Sequence, residues 1–468
     1  VKYISTRGQA PKLGFRDTLL TGLARDGGLY VPETWPVFSK EEIRSLAGLP
    51  YAEIAKRILA PFVEGEIGAD DYGRMIDVAY GTFHHPAVTP LSQIGDNHFV
   101  MELFHGPTLA FKDVAMQLLS RMMDHVLAER DQKATIVGAT SGDTGGAAIE
   151  AFRGRDNTDI FILFPAGKVS PVQQRQMTTV PDGNVHAMAI EGDFDDCQAL
   201  VKAMFNNHGF RDRLQLSGVN SINWGRIMAQ IVYYFSSATS LGSPDREVSF
   251  TVPTGNFGDI FAGHAARQMG LPVKELVIAT NQNDILARTL ATARYEKRGT
   301  VPSISPSMDI QVSSNFERLL FEANGRDAGI IRNQMDGLNQ SGGFSIDAAT
   351  MERIAGHFAA GACGEEQTSG QIRKTLGETG YLVDPHTAVG LFVAEQHVSR
   401  ETPMITLSTA HPAKFPAAVE AATGIHPDLP ARIGDMMERA ERFETLPGDI
   451  KAVEDFIEGK SRAAHNSV

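Results

Sequence analysis

Six short runs of β-branched and aromatic residues, each followed by a stretch with helical spacing, restrict this chain to very few architectures. The runs are ATIVGA (134–139), DIFILFP (159–165), VHAMAI (185–190), EVSFTVP (247–253), KELVIAT (274–280) and MITLST (404–409). Apolar strands that alternate with helices bury both sheet faces only when the sheet is parallel and helices cover it, so the pattern predicts an α/β fold of βαβ units. The first hundred or so residues lack this rhythm. They hold the turn-rich DGGLYVPETWP and the helical stretches EEIRSLAGL and YAEIAKRILAPFV. With 468 residues there is room for two or three domains. The expected division is an N-terminal unit at 1–95 and two α/β regions at 96–242 and 243–468. A Gly-, Ser- and Asn-rich insertion or flap is expected at about 295–371.

Composition removes several function classes. A formal charge of −13 and a pI near 5.6 leave no basic stripe for nucleic acid or an anionic membrane. No apolar stretch reaches the length of a membrane helix. Cys197 and Cys363 are too few and too far apart for a disulfide framework or a metal ligand set, so no metal is expected. The segment VKYISTRGQAPKLGF has no apolar core of the secretory kind, and the expectation is a cytoplasmic protein that meets neither nucleic acid nor membrane. No feature of the sequence fixes an oligomeric state.

Three glycine-containing loops carry the chemistry. In ELFHGPTLAFKDVAMQLLSRMMDHV, Val114, Leu118, Met122 and Val126 recur at helical spacing after a Gly-Pro turn, which puts Lys112 in the first helical turn. Helix N-termini disfavour cations, and desolvation would lower the amine further, as a Schiff-base lysine requires. A solvated surface lysine is the plain alternative, and Asp113 beside it acts in the opposite direction. The second loop, IVGATSGDTGGAAIEAF, runs strand, turn, helix, with Gly138, Gly142 and Gly145 off the dinucleotide spacing. It reads either as an anion or carboxylate site or as a close-packed turn. The third, VSFTVPTGNFGDIFAGHAARQMG, can line up the N–H groups of Gly255, Asn256, Phe257 and Gly258 around a phosphate. The last strand ends in the hydroxyls of Ser408 and Thr409, beyond the carboxyl end of a parallel sheet where ligands bind.

Taken in order, YISTRG, DGGLYVPE, ELFHGPTLAFKD, GATSGDTGGAA, FPAGKVSPVQQRQM, NSINWGRI, PTGNFGD, VDPHTAVG and LSTAHPAKF resemble the threonine synthase family of fold-type II pyridoxal-phosphate enzymes. The resemblance runs from Tyr3 to the LPGD at 446–449 and is nearest to the longer branch found in many bacteria and fungi. It implies a fold like the β subunit of tryptophan synthase, with two open parallel-sheet α/β domains plus an N-terminal unit. It implies pyridoxal 5′-phosphate as cofactor and a carbon–oxygen lyase acting on a phosphate ester, O-phospho-L-homoserine, to give L-threonine.

By position, the resemblance makes Lys112 the Schiff-base lysine and proton shuttle. Gly255, Asn256, Phe257, Gly258 and Asp259 become the phosphate loop, and Thr409 the hydroxyl facing the pyridine nitrogen. Ser141, Gly142, Asp143 and Thr144 match the loop for the substrate carboxylate, although Asp143 stands where other fold-type II members commonly place asparagine. Lys168, Ser170, Ser221, Asn223 and Arg226 are candidates for the substrate phosphate, with Arg226 favoured for its bidentate fork. His386 and His411 are expected to be structural. A serine or threonine dehydratase would share Lys112 and the phosphate loop but need no second phosphate pocket. A non-catalytic relative would need no such lysine.

Overall fold

The computed structural model describes residues 1–140 and 142–464. All six expected strands form, at Ala134–Ala139, Thr158–Pro165, Val185–Glu191, Val248–Pro253, Val273–Thr280 and Met404–Ser408. They divide between two sheets. One has five parallel strands in the order Glu444–Pro447, Val185–Glu191, Thr158–Pro165, Ala134–Ala139, Leu216–Ser217. The other has six, ordered Phe358–Ala362, Val273–Thr280, Val248–Pro253, Met404–Ser408, His98–Glu102, Leu91–Gly95, and only the last pair is antiparallel.

The sheets do not follow linear segments of chain. His98–Glu102 pairs in parallel with Met404–Ser408, and Glu444–Pro447 crosses to the edge of the five-stranded sheet beside Val185–Glu191. Helix Ile450–Lys460 follows it there, burying Val453 and Ile457 against the same cluster as Val137, Phe161 and Met188. These partners lie hundreds of residues apart, so no local pattern announces them.

At the N-terminus, Tyr3–Ser5 pairs with Tyr30–Pro32. Helix Tyr51–Val63 buries Tyr51, Ile54, Ala55, Ile58, Leu59 and Phe62, the stripe that 3.6-residue periodicity requires. Full burial of each such Ile or Leu contributes roughly 1.5–3 kcal/mol. The stripe packs on helix Trp224–Ser240, which is buried nearly all round because it also meets helices Lys112–Glu129 and Gly258–Gln268. The glycine-rich insertion is folded, with an antiparallel pair of strands, Arg294–Glu296 and Gly343–Ser345, enclosing helices Phe316–Ala323 and Ala328–Ser341. Its strand Phe358–Ala362 completes the six-stranded sheet. No helix among the described residues is long and apolar enough to cross a membrane.

Candidate active site

The carboxyl ends of Ala134–Ala139, Val248–Pro253 and Met404–Ser408 open onto one cavity of about 530 Å³. Its wall includes Lys112, Asp143, Thr144, Ser221, Arg226, the Gly255–Asp259 turn, His386 and Thr409. Parallel strands present such crevices at their carboxyl ends, and this volume suits a cofactor-sized ligand.

Lys112 begins helix Lys112–Glu129 and is buried, its Nζ 4.9 Å from the Phe111 ring centroid. Burial pushes its amine down from the ordinary lysine range. Asp143 opposes that shift, while Lys414 and Arg226 add to it. Asp113 does not share the site: its carboxylate accepts from the N–H and hydroxyl of Thr108 at 2.7 Å each, bracing the Gly-Pro turn that delivers Lys112.

Asp143, at the first turn of helix Asp143–Phe152, is flanked by two lysines. Lys414 Nζ lies 2.9 Å from Oδ1 and Lys112 Nζ 3.5 Å from Oδ2. Gln173 donates to Oδ1 at 2.9 Å. Burial alone would raise this carboxyl, but Lys414 and Lys112 outweigh it and hold Asp143 well below the usual carboxylate range. Gly142, which precedes it with φ 145°, has no room for a Cβ, which would meet the Gln173 amide. Ser141 lies outside the described residues.

In the turn before helix Gly258–Gln268, Phe257 adopts φ 63°, which turns successive N–H groups the same way. The N–H groups of Asn256, Phe257, Gly258 and Asp259 bond to no backbone carbonyl among the described residues. Such a cluster is an anion cradle, aided by the helix dipole. The Asp259 carboxylate turns away from it: Oδ1 accepts from Tyr233 and, at 3.1 Å, from Tyr234, while Oδ2 is buried without a partner. Burial pushes its pKa up to about 6. Asp259 therefore enters the site as an anchor behind the loop, with its backbone N–H toward the cradle.

Arg226 is wholly buried yet lines the cavity; one nitrogen donates to the Val219 carbonyl at 3.1 Å and Nε has no partner. Burial pushes it down to about 10, still a cation at neutral pH. Ser221 lines the same wall. The expectation that Asn223, Lys168 and Ser170 face the substrate is not met. Asn223 caps helix Trp224–Ser240 through Gly225 N–H and donates to the Leu19 carbonyl. Ser170 caps helix Pro171–Thr178 by accepting from Gln173 N–H, and Lys168 is exposed outside the cavity wall.

Of the paired hydroxyls, Ser408 is engaged by Thr387 at 2.9 Å and only Thr409 lines the cavity. His386 has both ring nitrogens occupied, by Asp384 at 2.7 Å and by Ser307 N–H at 3.2 Å. His411 caps the turn Pro412–Lys414 and lies off the cavity wall. The insertion, which its Gly- and Ser-rich sequence marks as a flap, supplies Pro306–Val312 and Ser314 to the wall. Gln230 also lines it, one helical turn after Arg226, and that i, i+4 spacing was the missed clue. Lys414 stands five residues after Thr409 in LSTAHPAKF and went unmarked, because a lysine in a loop ordinarily reads as solvated.

A buried amine, a turn of N–H groups without backbone partners and the Thr409 side chain line one crevice, and this donor set fits pyridoxal phosphate. Comparison with known proteins agrees. Family models match for the threonine synthase N terminus at residues 2–80, for pyridoxal-phosphate dependent enzymes at 83–407, and for the threonine synthase C-terminal region at 387–457. Threonine synthase of Pseudomonas aeruginosa is 54% identical, with 98% of each chain covered. A crystal structure of pyridoxal-phosphate-bound threonine synthase from Brucella melitensis superposes with a TM-score of 0.96 at 63% identity, covering 98% of this chain and 99% of that one. The yeast enzyme gives 0.93 at 39% identity, with 98% of each chain covered. With its two parallel sheets, its crevice and these relatives over nearly its whole length, the chain belongs to the threonine synthase family of fold-type II, pyridoxal-phosphate-dependent lyases.

Proposed function

We propose that this family member converts O-phospho-L-homoserine and water to L-threonine and phosphate, by replacement across the β- and γ-carbons. One observation carries the reading: one cavity is lined both by the anion cradle at Gly255–Asp259 and by the buried guanidinium of Arg226. A phosphorylated cofactor and a phosphorylated substrate need two such positions; a dehydratase needs one.

In this reading Lys112 holds the cofactor, which supplies an electron sink for charge formed at the substrate α-carbon. The lowered amine of Lys112 suits it to take the α-proton and later return protons to carbon. Arg226 and Ser221 hold the substrate phosphate, Arg226 through a charge-assisted fork. The substrate carboxylate falls to Thr144 and the backbone N–H groups that open helix Asp143–Phe152, because the Asp143 carboxylate would repel it. Thr409 would offer the cofactor ring a neutral hydroxyl in place of a carboxylate, a partner that favours ring-nitrogen protonation less. The wall formed by Pro306–Ser314 keeps bulk water from the reacting carbons until phosphate has left. The division of the chain into an N-terminal unit and two catalytic α/β halves belongs to the same proposal.

The test is product analysis of the cofactor-loaded protein given O-phospho-L-homoserine. Phosphate and threonine in equal amounts are expected. Phosphate with ammonia and a keto acid would replace this reading with elimination alone.

A further inference from the structure

Lys414 is fully enclosed; its ammonium donates to the Thr108 carbonyl at 2.8 Å and Gln176 Oε1 at 2.9 Å, and forms an ion pair with Asp143 Oδ1 at 2.9 Å. It ties together the turn before Lys112, helix Pro171–Thr178 and the start of helix Asp143–Phe152. Lys112 meets the same carboxylate from the other side, with its Nζ 3.5 Å from Oδ2. Of the two, Lys112 lines the cavity and Lys414 does not. Two buried cations thus share one buried carboxylate, and the enclosed one is the nearer.

We propose that Lys414 is a positioning residue for cofactor capture: it neutralises Asp143, so that Lys112 can release its proton and present a free amine to the cofactor aldehyde. The inference rests on Lys112 being the cofactor-bearing lysine. A protonated amine has no lone pair to attack with. If Lys112 were the sole counter-charge to Asp143, its deprotonation would strand a buried carboxylate, which is strongly unfavourable. With Lys414 in place, a neutral Asp143–Lys414 pair remains when the proton leaves. Lys414 also repels a charged Lys112 directly, as does Arg226. The other groups facing these charges are His386, Gln173 and Ser307 toward Asp143, Asp259 toward Lys112, and the buried Asp113 toward Lys414.

The experiment mixes the cofactor-free full-length chain with pyridoxal phosphate and follows covalent capture by absorbance across pH. In that step the amine nitrogen adds to the aldehyde carbon, a C=N bond forms and one water leaves. In Lys414→Met, capture at pH about 7.5 is expected to slow tenfold or more, since each pH unit added to the lysine's pKa removes about nine-tenths of its free amine. The whole rate–pH profile moves to higher pH. Asp143→Asn combined with Lys414→Met removes both charges and is expected to return the profile to that of the parent. A scaffold role alone would lower the melting temperature and leave the profile in place.

Asp143→Asn alone provides a second reading with the opposite sign, usable if Lys414→Met does not fold: its profile moves to lower pH, because two cations then face each other without a carboxylate between them. An unmoved profile in folded Lys414→Met or in Asp143→Asn overturns the inference, as does a double variant no faster than Lys414→Met. Borohydride reduction and peptide mapping keep the two claims apart. A cofactor found on a lysine other than Lys112 defeats the reading of Lys112 itself; a cofactor on Lys112 with an unmoved profile defeats only the role of Lys414.

Discussion

Gly255 lies so close beneath Ser307 that a Cβ added to it would stand 2.7 Å from the Ser307 carbonyl oxygen. The contact joins the anion cradle to the folded insertion, and Ser313 and Asn315 strengthen it by donating to the carbonyls of Gly255 and Asn256 at 2.6 and 2.8 Å. Gly255→Ala must therefore displace backbone, not a flexible side chain. We expect cofactor affinity to fall by about tenfold or more, equivalent to about 1.4 kcal/mol, with the fold retained. Titration of the apoenzyme with pyridoxal phosphate checks this, and parental affinity would show that the insertion yields freely.

Lys112→Ala is expected to leave the fold intact and abolish covalent cofactor retention, because Lys414 is too enclosed to substitute for it. Activity should drop by roughly a thousandfold or more, the scale of a lost proton-transfer group. Mass measurement after borohydride reduction is the check. A cofactor adduct still present on the variant would move the assignment elsewhere.

Arg226→Ala separates the two anion positions. With Nε unpartnered and the group facing the cavity, its loss is expected to raise KM for O-phospho-L-homoserine by roughly 10–100-fold, the worth of a charged hydrogen bond. The absorbance of bound cofactor should not change. An unaltered KM would take Arg226 out of the substrate site.

Asp259 sets a pH dependence. Burial raises its folded value to about 6, above the ~3.9 of an unfolded aspartate. Below about pH 4 both states hold the proton. Between about 4 and 6 the folded chain keeps a proton that the unfolded chain has released, so this group's contribution to stability falls as pH rises and stays low above 6. Asp259→Asn retains an oxygen acceptor for Tyr233 and Tyr234 without the charge. Whatever the difference between variant and parent at pH 4, it should shift toward the variant by on the order of 2 kcal/mol by pH 8. Urea unfolding of the cofactor-free chain at both pH values measures it, and a constant difference would contradict the account.

The parts legible in the sequence are those with a local cause. Period and β-branching marked the six strands, a Gly-Pro turn followed by an amphipathic stretch placed Lys112 at its helix start, and a strand, a Gly-rich turn and a helical stretch in sequence marked the turn at Gly255–Gly258. The illegible parts depend on partners remote in sequence. Strand His98–Glu102 has its register set by Met404–Ser408, and nothing near Ser307 reveals that its N–H meets His386. Asn223 and Ser170 belong to segments that resemble family loops, but each is a helix cap, a role that Asn and Ser fill wherever a helix begins. Asp143 looked anomalous for want of its partner: Lys414 is 271 positions away and becomes its counter-ion only on folding.

Turnover of O-phospho-L-homoserine in water enriched in oxygen-18, with mass analysis of both products, shows which bond breaks and where water adds. Equal amounts of threonine and phosphate are expected, with the heavy oxygen in the β-hydroxyl of threonine and none gained by phosphate, since water adds at carbon after the γ-carbon–oxygen bond breaks. Heavy oxygen in the phosphate, with homoserine as co-product, would mean hydrolysis at phosphorus and would contradict the proposed replacement.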